Sequence, residues 1–171
     1  MESTILSDLA HDASAGRLTF KGIRYLLIRP ETVVEFQKAV EAELGARAGE
    51  LMARGGRAGG ALSVRRYREA FGLGPRELVE FIVRTGREIG WGAFTLDRLD
   101  LERRELVISV EHSPFAEAYG SSSGPVCHLI AGVVGGLADG VFGGSVEVSE
   151  TACLAAGGPA CRFEARANPH G

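Results

Sequence analysis

The chain has 171 residues, 45% of them apolar and 24% charged, and a net charge of −3. That length suits one domain with a sizeable core, and the mild acidity offers no electrostatic footprint for nucleic acid. Three cysteines, an odd number, argue against a disulfide framework and for a reducing compartment, so a cytoplasmic location is expected.

The first 16 residues read as loose, and their acidic, polar character does not match a signal peptide. Residues 17–167 are expected to form one domain, with 168–171 as a tail. The stretch RLTFKGIRYLLIR from Arg17 alternates like two short strands turning at Gly22. Pro30 can open a helix in which Val33, Val34, Val40 and Leu44 share a face before Gly45 ends it. A second helical piece over 46–54 stops at the break GGRAGG (55–60), and further helices follow over 63–71 and 75–89. Arg54, Arg57, Arg65, Arg66 and Arg68 are interspersed with Glu50 and Glu69, which describes a solvated face better than an anion site.

From Trp91 the period changes. Residues 91–100 and 105–111 have the pattern of a hairpin, and Ser113 followed by Pro114 caps a short helix. A helix from about Pro125 to Phe142 carries Gly132, Gly136 and Gly140 on one face. Each glycine costs about 1 kcal/mol relative to Ala in a helix interior, so the stripe predicts close backbone approach by another element or a second subunit. This is also the longest apolar stretch, but Cys127, His128 and the glycines interrupt it, and it is too short to span a bilayer. Strands over 144–150 and 160–165 end the pattern. The order is that of an α+β fold, an antiparallel sheet with helices packed on it.

All three cysteines surround one carboxylate: Cys127, then Glu150, Cys153 and Cys161. Three thiolates and a carboxylate supply the four donors of a tetrahedral zinc shell. Glu150 and Cys153 would span the end of one strand, Cys161 would return on the next, and Cys127 would come from the start of the long helix. The alternative is three buried thiols and a solvated Glu, since no C-x-x-C is present and free Cys is commonly buried. His128 would point about 100° away from Cys127 on a helix and is a poor co-ligand.

Three stretches, EHSPFAEAYG from Glu111, PVCHLIAG from Pro125 and VSETACLAAGGPACRF from Val148, resemble the 4-vinyl-reductase domain family. That family is similar to the ligand-sensing domain of phenol- and toluene-responsive sigma-54 activators, and both resemble the fold of trafficking-complex (TRAPP) subunits. The resemblance implies a structural zinc ion on Cys127, Glu150, Cys153 and Cys161, and a homodimer with an apolar cavity in each subunit. Around the helix-to-strand junction, the candidate cavity residues are Phe81, Trp91, Phe94, Ile108, Val110, Phe115 and Tyr119; each is also an ordinary core residue by type. The sequence departs from the phenol sensors where they carry a polar His and Trp: Ile89 or Gly90, and Val110, stand there. A more apolar, larger or differently held ligand is expected.

No ATPase or DNA-binding segment follows, so a free-standing binding protein or an excised sensor piece is expected. No dinucleotide fingerprint, P-loop or separate cluster-forming cysteine set is present, and His11, His112, His128 and His170 lack a convincing catalytic companion. The leading reading is therefore a zinc-stabilised sensor or carrier of a hydrophobic aromatic or tetrapyrrole ligand. The alternatives are an enzyme or accessory of (bacterio)chlorophyll biosynthesis acting on a vinyl tetrapyrrole, and a protein-assembly scaffold without ligand.

Overall fold

The structure, a computed structural model, describes residues 4–167; the 168–171 tail, with His170, lies outside them. A turn of helix, α1 (Thr4–Ser7), leads into strands β1 (Ala10–Asp12), β2 (Arg17–Phe20) and β3 (Ile23–Tyr25), an antiparallel sheet in that order. The loose start expected from sequence is thus partly ordered. Asp12 Oδ1 accepts from Ser14 Oγ (2.7 Å) and the Ala15 N–H (3.1 Å), which tightens the turn, and buried Ile5 donates its N–H to Glu88 Oε2 (2.8 Å).

Three helices follow: α2 (Pro30–Leu44), α3 (Arg47–Phe71) and α4 (Pro75–Glu88). Both Pro30 and Pro75 sit at a helix start, where the missing N–H has no partner to lose. In α4 Glu77 Oε2 accepts from the Gly74 N–H (2.8 Å), which satisfies a donor that would otherwise be orphaned. The GGRAGG stretch does not break the chain into two helices: α3 runs straight through it. Its glycines are instead the contact with α6 (His128–Phe142). A Cβ on Gly56 would stand 2.2 Å from Leu129 O and one on Gly60 2.3 Å from Val133 O. Reciprocally, a Cβ on Gly132 would stand 2.0 Å from Ala53 O and one on Gly136 2.1 Å from Arg57 O. The partner of the α6 glycine stripe is therefore α3 of the same chain, and tertiary contact overrides the local cost of glycine.

Arg57 does not belong to a solvated face either. It forks onto Asp139 of α6 (Nε–Oδ2 and Nη2–Oδ1, both 2.6 Å), and Nη2 also donates to Val146 O (2.6 Å). This ties α3, α6 and the following strand together. Arg54, Arg65 and Arg66 are exposed, as expected.

The main sheet is antiparallel, in the order β4 (Ala93–Asp100), β5 (Glu105–Glu111), β7 (Cys161–Ala167), β6 (Val146–Ala152). Leu106, Ile108 and Val110 of β5 and Cys161, Phe163 and Ala165 of β7 alternate onto the face that packs under the helices, each nearly or wholly buried. Helix α5 (Pro114–Tyr119) is capped by Ser113, whose Oγ accepts from the Ala116 N–H at 3.5 Å. The long helix begins at His128 rather than about Pro125. Among the described residues no helix is long and apolar enough to cross a membrane.

Candidate metal centre

Cys127 is the residue immediately before α6, so its side chain stands at the helix's N-terminal end over the sheet. Along β6, Val146, Val148 and Glu150 alternate toward α6, and a bulge between Glu150 and Ala152 then shifts the register. That irregularity lets Cys153, just beyond the strand, face the same interior as Glu150. A 3₁₀ turn (Leu154–Ala156) follows, and the Cys153 carbonyl accepts from Ala156 N (3.1 Å) and Gly158 N (2.9 Å). Gly157 supplies the left-handed conformation (φ 85°) that the turn requires. Cys161 then opens β7, opposite Val110 of β5.

The donor atoms of Cys127, Glu150, Cys153 and Cys161 all lie within 4.8 Å of one another. A tetrahedron of thiolates around zinc has edges of about 3.8 Å, from Zn–S bonds of about 2.3 Å. Cys127 Sγ and Cys161 Sγ are 3.5 Å apart, close to such an edge and far beyond a disulfide bond. All three thiols are buried. Glu150 Oε2 accepts the Cys127 N–H (2.9 Å), whereas Oε1 is buried and has no hydrogen-bond partner. An orphaned carboxylate oxygen among three sulfurs is the signature of a missing cation, because burying an unpaired acceptor costs about 1–3 kcal/mol or more.

Electrostatics point the same way. The Cys127 thiol donates to Cys161 and the Leu154 N–H approaches the same sulfur at 3.4 Å; Cys161 is thereby drawn down to about 7 against the opposing effect of burial. Its hydrogen bond to Cys161, and then burial, push Cys127 up, and burial pushes Cys153 up to about 11. One sulfur can thus ionise while its neighbours resist. A divalent cation removes that conflict, since a coordinated thiol loses its proton outright. Ser113 Oγ lies 3.6 Å from Cys127 Sγ, an outer contact with no counterpart in the sequence reading. The four residues form a cluster able to hold a metal ion.

Six of the seven candidate cavity residues lie in one apolar layer between α4, β4, β5 and α5. Phe81 packs its ring 5.0 Å from those of Tyr67 and Phe71, and Trp91 stands edge-on to Phe115 at 5.4 Å. Phe94, Ile108 and Val110 are buried on the inner sheet face. Tyr119 differs: its hydroxyl donates to Glu41 Oε2 at 2.7 Å. Ile89 is partly buried against the core and Val110 wholly buried, and both are apolar.

Residues 106–167 match the family model of the 4-vinyl-reductase domain. No curated protein matches the chain. Among solved structures, the phenol-responsive sensory domain of the transcription activator PoxR, crystallised with phenol, is 18% identical with a TM-score of 0.84, over 96% of this chain and 87% of that one. Trafficking protein particle complex subunit 3 from Naegleria fowleri, covalently bound to palmitic acid, is 14% identical with a TM-score of 0.60, over 81% of this chain and 95% of that one. A vinyl-4-reductase family protein from Methanocaldococcus jannaschii is 18% identical with a TM-score of 0.52, over 79% of this chain and 76% of that one. The expected fold is the observed one, and residues 106–167, which hold the whole four-donor cluster, belong to the 4-vinyl-reductase domain family.

Proposed function

We propose that the chain is a zinc-stabilised sensor or carrier domain for a hydrophobic small molecule, an aromatic compound or a tetrapyrrole. The observation that carries this reading is the four-donor cluster with its orphaned Glu150 oxygen, set in the fold of a phenol-responsive sensory domain. Cys127, Glu150, Cys153 and Cys161 would hold zinc in a closed shell, where its role is structural: pinning the start of α6 to the β6–β7 hairpin.

The ligand would occupy the layer formed by Phe81, Trp91, Phe94, Ile108, Val110 and Phe115, with Tyr119 at its margin. Trp91 lies between Gly90 (φ 84°) and Gly92 (φ 114°), backbone conformations that favour glycine and give the ring its corner. With Ile89 and Val110 apolar, packing rather than a hydroxyl-binding pair would hold the ligand. Homodimerisation belongs to the same reading: Leu26, Leu27, Ile28 and Phe36 are 73%, 90%, 55% and 63% exposed, a local apolar surface that a second copy would cover.

The test combines elemental analysis and native mass spectrometry with titration of Trp91 emission by phenol, toluene and protoporphyrin. About one zinc per chain, a dimer mass and saturable quenching by at least one compound are expected. Metal-free, folded protein with unchanged emission would overturn the proposal. A second reading, an assembly scaffold with a filled interior, is favoured by the packing of Phe81 against Tyr67 and Phe71. It would be selected by stoichiometric zinc without any ligand response.

A further inference from the structure

A hollow of about 370 Å³ opens beside the metal cluster, between the C-terminal part of α2, the α2–α3 turn, the end of α5 and the loop before α6. This lies at the small end of ligand-site volumes, about 300–1,000 Å³. Glu41, Tyr119, Ser122, Ser123 and His128 give it polar walls.

The Glu41 carboxylate is held rigidly by neutral donors. Gln37 Nε2 donates to Oε1 at 2.8 Å and the Tyr119 hydroxyl donates to Oε2 at 2.7 Å. Gln37 is itself 4% exposed, and the same nitrogen donates to Val126 O at 2.9 Å, so a buried amide fixes the position of Glu41 against the loop. Two neutral donors do not balance a full negative charge. Among the described residues no Lys or Arg pairs with Glu41. Lys38 instead pairs with Glu35 at 3.2 Å and stands 5.1 Å from the Tyr119 ring centre. Each carboxylate oxygen keeps a second acceptor position.

We propose that this hollow is a second ligand site, separate from the apolar layer around Trp91, and that it takes a small molecule through an ammonium or guanidinium group seated on Glu41. The charge-assisted bond would be strong because the acceptor is preorganised and partly screened from water. The Tyr119 ring face and the serine hydroxyls would contact the rest of the molecule, and an anion would be repelled. This does not depend on the zinc or on a hydrophobic ligand, so the two proposals fail separately.

Amide resonances of the metal-loaded chain, titrated with phenethylamine, agmatine and phenylacetate, provide the test. The two amines are expected to shift Gly45, Gly49, Ser122, Ser123 and His128, and phenylacetate to leave them in place. Glu41→Gln should weaken amine binding about tenfold or more. Tyr119→Phe, which keeps the carboxylate and its Gln37 bond, should hold affinity within about threefold. Should Glu41→Gln fail to fold, the contrast between amines and phenylacetate on the unaltered chain decides. No shift by either amine up to about 10 mM, equal shifts with phenylacetate, or undiminished binding by folded Glu41→Gln overturns the proposal.

Discussion

Gly132→Ala tests whether the α3–α6 crossing is set by backbone contact. The added methyl would stand 2.0 Å from Ala53 O, 2.8 Å from its carbonyl carbon and 2.9 Å from its Cα. Ordinary carbon contacts lie near 3.5–4.0 Å, so the helices must part by more than about 1 Å. Sliding does not relieve the clash, because Gly56, Gly60 and Gly136 meet opposing carbonyls at 2.2, 2.3 and 2.1 Å along the same seam. Alanine returns about 1 kcal/mol of helix propensity. Overpacking costs about 1–3 kcal/mol, and parting two helices adds lost dispersion along the crossing, so a net loss of about 2–3 kcal/mol is expected. In a domain of this size that lowers Tm by about 4–12 °C. Gly59→Ala is the internal control: it lies on the same α3, nothing stands within 4 Å of its added methyl, and a gain of up to about 1 kcal/mol is expected. Urea unfolding of metal-saturated proteins measures both. A Gly132→Ala protein as stable as the parent, or a Gly59→Ala protein damaged equally, would refute the reasoning.

Cys153→Ser is expected to cut metal content well below one ion per chain and to loosen the β6–β7 hairpin; unchanged metal by elemental analysis defeats the four-donor reading. Arg57→Ala strips the bidentate bond from Asp139 and the side-chain donor from Val146 O, at a cost of about 2 kcal/mol in chemical denaturation, and Arg57→Lys recovers only part because it lacks the fork. A loss below about 0.5 kcal/mol would remove the node from the account of stability. The Glu41 hydrogen bond raises Tyr119 to about 12, so its phenolate absorbance should appear near that pH and return toward 10 in Glu41→Gln. Because the folded value is the higher one, the contribution of this bond is intact below about pH 10 and lost as pH rises through about 12. A Tyr119 step near 10 in the unaltered protein contradicts the bond.

Local chemistry makes much of this legible from sequence. Pro30, Pro75 and the Ser113–Pro114 pair mark helix starts because their physics needs no tertiary partner, and the alternation of β5 and β7 marks strands because one face is buried. Donor count, joined to the family resemblance, puts Cys127, Glu150, Cys153 and Cys161 at one centre. Helix α3 is misread from sequence because glycine's cost is local while its compensation lies across the molecule. The signal is nevertheless present: Gly56 and Gly60 repeat the four-residue spacing of Gly132 and Gly136, so the two stripes can be matched to each other. Arg57 escapes for a related reason, its partner Asp139 lying on another helix. The Gln37–Glu41–Tyr119 node gives no motif, since a carboxylate satisfied by neutral side chains has no recognisable pattern in sequence.

Strand β7 is the last of the described strands in chain order, yet it lies inside the sheet between β5 and β6. During synthesis the β4–β5 hairpin is complete at Glu111, well before β7 begins at Cys161 and pairs with it. Until the ribosome has delivered Ala167, one edge of β5 has no neighbour and Leu106, Ile108 and Val110 lack their eventual cover. A nascent chain stalled in that interval would present an unpaired apolar strand to other chains. Slow translation between β5 and β7, or a scarcity of chaperone, should therefore cost yield through aggregation far more than a pause of equal length before Trp91.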